Sequence, residues 1–98
     1  MLVDTGATFS RVPANILQRL GVQELFQVET EYATGQVEPV PVGLAMMEIA
    51  GFPERVPVLI SFGKEAAYPL LGAHALEAFR VAVDPVARTL RRVRAFLT

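Results

Sequence analysis

Residues 2–7 read Leu2-Val3-Asp4-Thr5-Gly6-Ala7, and this stretch limits the fold and the chemistry of the 98-residue chain more than any other. An apolar pair predicts a short strand that ends at Asp4. Gly6 allows a close backbone approach, and the Thr5 hydroxyl can hold a loop by hydrogen bonds. The pattern is typical of a reactive carboxylate on a tight loop, although Asp and Gly also occur together in plain turns.

A second motif lies in the last third of the chain, where Leu70, Leu71 and Gly72 follow Tyr68-Pro69. The residues after it predict a short helix over Ala73–Phe79, with Leu76 and Phe79 on one face. Two short strands follow, Arg80 to Val83 and Thr89 to Val93. We interpret the Asp84-Pro85 pair between them as the start of a turn.

Between the two motifs the sequence predicts a hairpin. Apolar and polar residues alternate from Leu25 to Ala33, with Phe26, Val28, Thr30 and Tyr32 on one side, which is typical of a half-buried strand. A turn is expected at Ala33-Thr34-Gly35-Gln36. The next strand runs from Val37 to Ile49, and prolines near its start place that part at a sheet edge. Its apolar residues on one face are Val40, Val42, Leu44 and Met46.

Two further elements complete the pattern. A strand is predicted around Val56, Val58 and Ile60. A helix is predicted from Pro13 to Leu20, because proline favours the first turn and Gly21 stands just beyond the end. Its apolar residues Ile16, Leu17 and Leu20 are expected to share a face.

The two motifs in this order, with a hairpin between them, resemble the retropepsin-type aspartic protease domain. The resemblance extends from Leu2 to about Leu90. It implies a mostly β fold, a closed β-barrel with one or two short helices, formed by a single domain over residues 1–98. Domains of this family carry a hairpin before the Asp-Thr-Gly strand. Because Asp4 lies three residues after Met1, we expect this chain to lack that hairpin.

The resemblance also implies roles for individual residues. Asp4 would be catalytic, and Thr5, Gly6 and Ala7 would support the active-site loop. Thr34 and Gly35 would form the tip of a flap that closes over the substrate. The strand that packs beside the active-site loop would be made by Leu70, Leu71 and Gly72.

A count of carboxylates predicts a homodimer. Aspartic proteolysis uses two carboxyl groups that share one proton, and Asp84 is followed by Pro85 instead of Thr-Gly. The second catalytic carboxyl is therefore expected from a second copy of the chain. The composition agrees, since 52% of residues are hydrophobic and only 19% are charged, against about 25% charged in ordinary domains. The sequence thus predicts an aspartic endopeptidase acting on a peptide or protein.

The composition excludes several other functions. The chain has no cysteine and a single histidine, His74, so we expect no metal and no cofactor. A net charge of −1 argues against nucleic-acid binding, although arginines at 88, 91, 92 and 94 leave that alternative open. No segment resembles a signal peptide or a membrane span, so no membrane partner and a cytoplasmic location are expected. The main alternative function is a catalytically inactive domain used for protein binding or dimerisation.

Overall fold

The computed structural model describes residues 2–4, 6–64 and 68–93. Over these ranges the chain is mostly β, as the sequence predicted, with two short helices. The elements in chain order are β1 (Leu2–Val3), β2 (Ser10–Pro13), α1 (Ala14–Arg19), β3 (Glu24–Glu31), β4 (Val37–Glu48), β5 (Arg55–Gly63), β6 (Leu70–Leu71), α2 (Ala73–Phe79), β7 (Val81–Asp84) and β8 (Thr89–Arg92).

Six strands form one sheet in the order β1-β6-β2-β5-β4-β3, and β7 pairs with β8 in a separate hairpin. β1 runs parallel to β6, and β2 runs parallel to β5 and antiparallel to β6. Within the described ranges no hydrogen-bonded ladder joins β1 to β3, so the sheet has two edges where a closed barrel was expected. The reason is the length of β1 and β6, which have only two residues each, too few to extend the sheet around to β3.

The hydrophobic core lies between the sheet and the two helices. Phe79 of α2 is almost fully buried beside Leu76, as the predicted helix face requires. Full burial of a side chain of this size stabilises the fold by about 2–3 kcal/mol. The buried cluster contains Leu17, Val58, Ile60, Phe62, Leu71, Ala75, Leu76, Phe79 and Val81.

Helix α1 occupies six residues of the predicted range, and Pro13 lies at its N-cap. Gly21 stands just beyond the end with a φ of +77°, as predicted. The predicted apolar face is buried only in part. Leu17 is buried, whereas Ile16 is 39% and Leu20 is 73% exposed. In a helix this short, Leu17 is the residue that packs into the buried core cluster.

Strands β3 and β4 form the predicted hairpin. Their register runs from Glu31 opposite Val37 to Glu24 opposite Gly43. The predicted turn is confirmed, since the N–H of Gly35 donates to the carbonyl of Tyr32 at 2.8 Å and Gly35 has a φ of +86°. Residues 37–41 pair with β3 alone, so the start of β4 lies at an edge as its prolines predicted.

The buried face of β4 changes along the strand. Val40 and Val42 are buried, but Leu44 and Met46, on the same face, are 52% and 55% exposed. The pairing with β3 stops at Gly43, while the pairing with β5 continues to Glu48. Beyond Gly43 the opposite face, which carries Ala45, Met47 and Ile49, packs on the core. The predicted alternation of side chains along β4 was correct, but the buried face changes at Gly43, where the pairing with β3 ends.

The turn between β7 and β8 is built on Asp84. Its Oδ1 accepts hydrogen bonds from the N–H groups of Val86 at 3.0 Å and Ala87 at 3.1 Å. The interpretation of Asp84 as a turn-initiating residue is therefore confirmed. In the described part of the chain, neither helix has the length and apolar character needed to cross a membrane.

Candidate active site

The Asp4 loop starts where β1 ends and is held by backbone hydrogen bonds. The N–H of Asp4 donates to the carbonyl of Leu71 at 2.9 Å, which extends the β1–β6 pairing by one bond. The N–H of Ala7 donates to the carbonyl of Asp4 at 3.2 Å, which closes the turn. The Asp4 side chain is exposed at the point where this turn leaves the sheet.

Gly6 orients the carboxylate of Asp4. Its N–H donates to Asp4 Oδ1 at 3.0 Å, and a Cβ at this position would lie 3.3 Å from the same oxygen. Because glycine has no Cβ, it leaves space beside the Asp4 carboxylate that any other residue at position 6 would narrow. Thr5 lies outside the described residues.

The second motif lies directly beside this loop. Leu70 and Leu71 are buried and stand in register with Leu2 and Val3. Two further backbone bonds fix the start of α2 to the far end of the loop. The N–H of Ala73 donates to the carbonyl of Ala7 at 2.7 Å, and the N–H of His74 donates to the carbonyl of Thr8 at 2.9 Å.

Gly72 lies where two backbone segments cross. A Cβ there would come within 2.5–2.8 Å of the main-chain atoms of Phe9 and Ser10, a distance that real structures do not tolerate. The Gly72 N–H donates to the buried Ser10 Oγ at 3.0 Å. Ser10 thus holds the crossing together, although nothing in the local sequence distinguished it from an ordinary strand serine.

A cleft of about 800 Å³ opens between the Asp4 loop and the hairpin. It is lined by residues of β2 and β5 and by residues of β3, where Val28 and Thr30 are half-buried and Glu29 and Glu31 are exposed. The family resemblance makes Val40, Leu59, Ile60 and Leu71 candidates for pocket walls, although apolar residues of this kind more often belong to the core. Of these four residues, Val40 lines this cleft. The described residues around it include Asp4, Gly6, Ala7, Thr8, Phe9, Arg11, Val28, Thr30, Tyr32, Val40, Ser61, Gly63, Lys64 and Leu70.

A second cavity, of about 450 Å³, is apolar and lies on the other side of β6. Ile60 and Leu71 face this cavity, not the cleft, so they act as core residues. Val3 and Leu20 lie at its rim. Leu59 lines neither space.

The hairpin tip is tied to the end of β5 by a small polar cluster. The Tyr32 hydroxyl donates to Glu38 Oε1 at 2.6 Å, and Lys64 Nζ lies 3.8 Å from the same oxygen. The hydrogen bond to Glu38, followed by burial, raises the pKa of Tyr32 above its ordinary value, and the nearby charge of Arg11 acts weakly in the opposite direction. Thr34 and Gly35 stand exposed at the turn itself.

Two residues with possible chemistry lie outside the cleft. Asp84 is occupied in its own turn. His74 is exposed, and its ring meets Phe9 edge-on at 5.9 Å. Among the described residues no three side chains with metal-binding groups come together.

Arg11 is a cleft residue that the sequence did not predict. It faces the same space as Asp4, yet its surroundings in the sequence, Ser10 and Val12, give no sign of this. The signal is three-dimensional, because β2 is brought beside β6 and β5 only in the folded sheet.

A comparison with protein-family models matches residues 1–78 to the family described as gag-polyprotein putative aspartyl protease. The chain belongs to this family, which confirms the resemblance to the retropepsin-like aspartic proteases. The match includes the Asp4 loop, the hairpin and the Leu70-Leu71-Gly72 motif. Comparisons with curated proteins and with solved structures gave no match.

Proposed function

We propose that this chain is one half of a homodimeric aspartic endopeptidase, with Asp4 from each of two copies forming the catalytic pair. The proposal rests on the exposed carboxylate of Asp4, held by its loop in a cleft large enough for an extended peptide. Membership of the aspartyl protease family supports this function. Asp84 is engaged in a turn, so within the described residues Asp4 is the one aspartate facing the cleft.

The chemistry follows from two carboxyl groups that share one proton. The ionised carboxylate accepts a proton from a water molecule as that water attacks the scissile carbonyl carbon. The protonated partner donates its proton to the carbonyl oxygen, which becomes a hydroxyl of the tetrahedral intermediate. The carboxyl that took the proton from water then donates it to the amide nitrogen, and the other carboxylate accepts a proton from a hydroxyl of the intermediate as the C–N bond breaks. This restores the pair of carboxyl groups with one shared proton. No metal or cofactor is required for these steps.

The surrounding residues position the reactants. The Gly6 N–H fixes one carboxylate oxygen of Asp4, and the missing side chain leaves room for the substrate backbone. Thr5 would link the two active-site loops by hydrogen bonds across the dimer, as the family resemblance implies. An extended peptide would lie beneath the hairpin and add strand-like hydrogen bonds, with Thr34 and Gly35 closing over it.

Dimerisation would also cover exposed apolar surface. Leu2 and Val3 are exposed although they lie in a strand, and among the described residues β1 forms an edge of the sheet. An unpaired edge of this kind favours association with another strand. The closed barrel that the family resemblance implies belongs to the same proposal, since added strands at this edge would extend the sheet.

The proposal is tested by hydrolysis of a peptide library and by an Asp4→Asn variant. Wild-type chain should cleave peptides, and Asp4→Asn should not, while both give the same circular dichroism spectrum. Because one dyad needs two wild-type chains, added Asp4→Asn chain should inhibit. At fixed wild-type concentration, an equal amount should lower the rate to about one half and a threefold excess to about one quarter, by random pairing.

The alternative, an inactive binding or dimerisation domain, predicts a different set of results. Wild-type chain would then self-associate without cleaving any peptide, and Asp4→Asn would change nothing. Cleavage that persists in Asp4→Asn would contradict the catalytic assignment. If the wild-type rate does not change when Asp4→Asn chain is added, the dyad shared between two chains is contradicted, but the catalytic role of Asp4 is not.

A further inference from the structure

Arg11 lines the same cleft as the proposed catalytic residue Asp4. Its Cα is in register with Ser61 of β5 on one side and with Leu70 of β6 on the other, and all three residues line the cleft. A charged side chain in the middle of a sheet is uncommon unless it has a partner or a function.

The aliphatic part of the Arg11 side chain packs against Gly63. A Cβ on Gly63 would lie 2.8 Å from Arg11 Cγ and 3.0 Å from Cδ. The glycine therefore leaves the channel along which the aliphatic part of Arg11 runs. This packing fixes the stem and sets the position of the guanidinium group.

The guanidinium group itself is poorly satisfied. Its Nε is buried and has no hydrogen-bond partner in the described part of the chain. Within the described ranges its Nη2 donates to the carbonyl of Tyr68 alone, at 3.5 Å, which is at the limit for a hydrogen bond. A guanidinium carries five N–H donors in a planar fork that matches a carboxylate, so it retains most of its capacity for a ligand.

No charged side chain among the described residues around the cleft pairs with Arg11, neither Asp4 nor any other carboxylate. Glu29 and Glu31 border the cleft but are exposed, alternating with the half-buried Val28 and Thr30. Glu38, nearer the hairpin tip, already accepts from Tyr32 and lies near Lys64.

We propose that Arg11 is a specificity residue that selects peptides with an acidic side chain close to the scissile bond, an inference that rests on the proposed peptidase function. Arg11 lies two strands from the Asp4 strand, through β6, or roughly 10 Å at the usual strand spacing. An extended peptide covers this distance in about three residues. The acidic residue is therefore expected two or three positions from the cleaved bond, and on either side of it in a two-fold dimer.

The test compares ten-residue peptides of Ala, Ser, Val and Phe that carry one Glu at successive positions with a matching set that carries Gln. Wild-type chain should cleave the best Glu peptide with a kcat/KM about tenfold above that of its Gln partner, the gain expected from a charge-assisted hydrogen bond. In Arg11→Met, which keeps the stem but loses the charge, this ratio should fall to about one. Arg19→Met, a change at the end of α1 outside the cleft, should keep the wild-type ratio.

Binding provides a readout that does not need catalysis. Asp4→Asn protein should bind the fluorescent Glu peptide more tightly than the Gln peptide, and the double variant Asp4→Asn/Arg11→Met should not distinguish them. If Arg11→Met does not fold, Arg11→Lys replaces it. This variant keeps the charge without the planar fork and should retain only part of the preference.

The outcomes separate the two proposals. Cleavage with equal kcat/KM for the Glu and Gln peptides overturns the role of Arg11 and leaves the peptidase function intact. Glu-selective binding without cleavage of any peptide overturns the peptidase function and supports the acidic-peptide site. Absence of both overturns both.

Discussion

The backbone N–H of Gly72 donates to the Oγ of Ser10 at 3.0 Å, across 62 positions of the chain. Ser10 is completely buried, so this bond is shielded from water. It fixes the end of β6 against the start of β2. The Asp4 loop is hydrogen-bonded at its start to the Leu71 carbonyl of β6, and at its end the Ala7 carbonyl accepts from the N–H of Ala73. This crossing therefore sets the frame of the candidate active site.

Loss of the Ser10 hydroxyl should therefore destabilise the protein and the loop together. Ser10→Ala leaves the buried N–H of Gly72 without an acceptor, which costs about 1–3 kcal/mol. We expect a lower urea midpoint and faster amide exchange over residues 70–74. Gly72→Ala should be worse, because the added Cβ meets main-chain atoms that cannot move aside.

Ser61→Ala is the matched control for Ser10→Ala. The Ser61 Oγ donates to the carbonyl of Ser10 at 3.1 Å and is only partly buried, so its removal should cost about 0.5–1.5 kcal/mol. Equal losses in the two serine variants would show that the Ser10–Gly72 bond has no special role.

A substitution at the hairpin tip should alter catalysis more than stability. Gly35 has a φ of +86° with open space around it, so Gly35→Val is strained by the backbone alone, by about 1–2 kcal/mol. If the tip closes over the substrate, this variant should lower kcat and raise KM together. Peptide hydrolysis at several substrate concentrations measures both.

Gly51→Val separates the flap from simple turn strain. Gly51 has a φ of +92° and also stands in open space, in the turn between β4 and β5. The two variants should lose similar stability, but Gly51→Val should keep the wild-type kcat and KM. The flap assignment fails if the two variants have the same kinetics.

The elements that the sequence predicted well are those defined by local signals. Helix α2, the turn at Gly35 and the Asp84 turn each carry their own pattern of apolar spacing or turn residues, and each was found where expected. The order of two motifs around a hairpin was sufficient to predict the family that the family model confirms.

What the sequence did not predict depends on neighbours far along the chain. Leu44 and Met46 are exposed in the part of β4 beyond Gly43, where the pairing with β3 has ended. The sequence around these two residues does not indicate where that pairing ends. The hydroxyl of Ser10 and the guanidinium of Arg11 gain their roles only when β6 and β5 come alongside β2. Tertiary pairing of this kind overrides local preference.

The ion pair of Glu54 with Arg92 should anchor the β7–β8 hairpin. The two Arg92 nitrogens donate to the two carboxylate oxygens at 2.8 and 2.6 Å, and the guanidinium lies 4.9 Å from the Phe52 ring. We expect Glu54→Gln to lower Tm and to speed amide exchange over residues 81–92. A double-mutant cycle with Arg92→Met measures the coupling.

The pH dependence of this pair has a defined sign. The hydrogen bond from Arg92 lowers the pKa of Glu54 below its ordinary value of 4.5. The pair therefore stabilises the fold above pH 4.5, and the contribution is lost as the pH falls through the lowered value. The Tm values of wild type and Glu54→Gln should converge in acid. The exposed pair Arg55–Glu48 is the control, and Glu48→Gln should change Tm little at any pH.

The last prediction concerns the contact that holds the hairpin tip down. The Tyr32 hydroxyl donates to Glu38 at 2.6 Å, and the Lys64 ammonium lies 5.6 Å from the Tyr32 ring centre. Tyr32→Phe keeps the ring and its contact with Lys64 but removes the hydrogen bond. The tip should then open more often, with faster amide exchange over residues 31–37 and a KM for peptides raised about threefold to tenfold.

This effect should not depend on pH in the neutral range. Because the bond to Glu38 raises the pKa of Tyr32 above its ordinary value of 10.0, the phenol stays protonated and the bond persists until strongly alkaline pH. The KM ratio of variant to wild type should thus stay constant over the part of the neutral range in which peptide hydrolysis is measurable. Tyr68→Phe is the control, since Tyr68 is 81% exposed and its hydroxyl forms no hydrogen bond with the described residues. A KM that rises equally in both tyrosine variants would show that the Tyr32–Glu38 bond does not hold the flap.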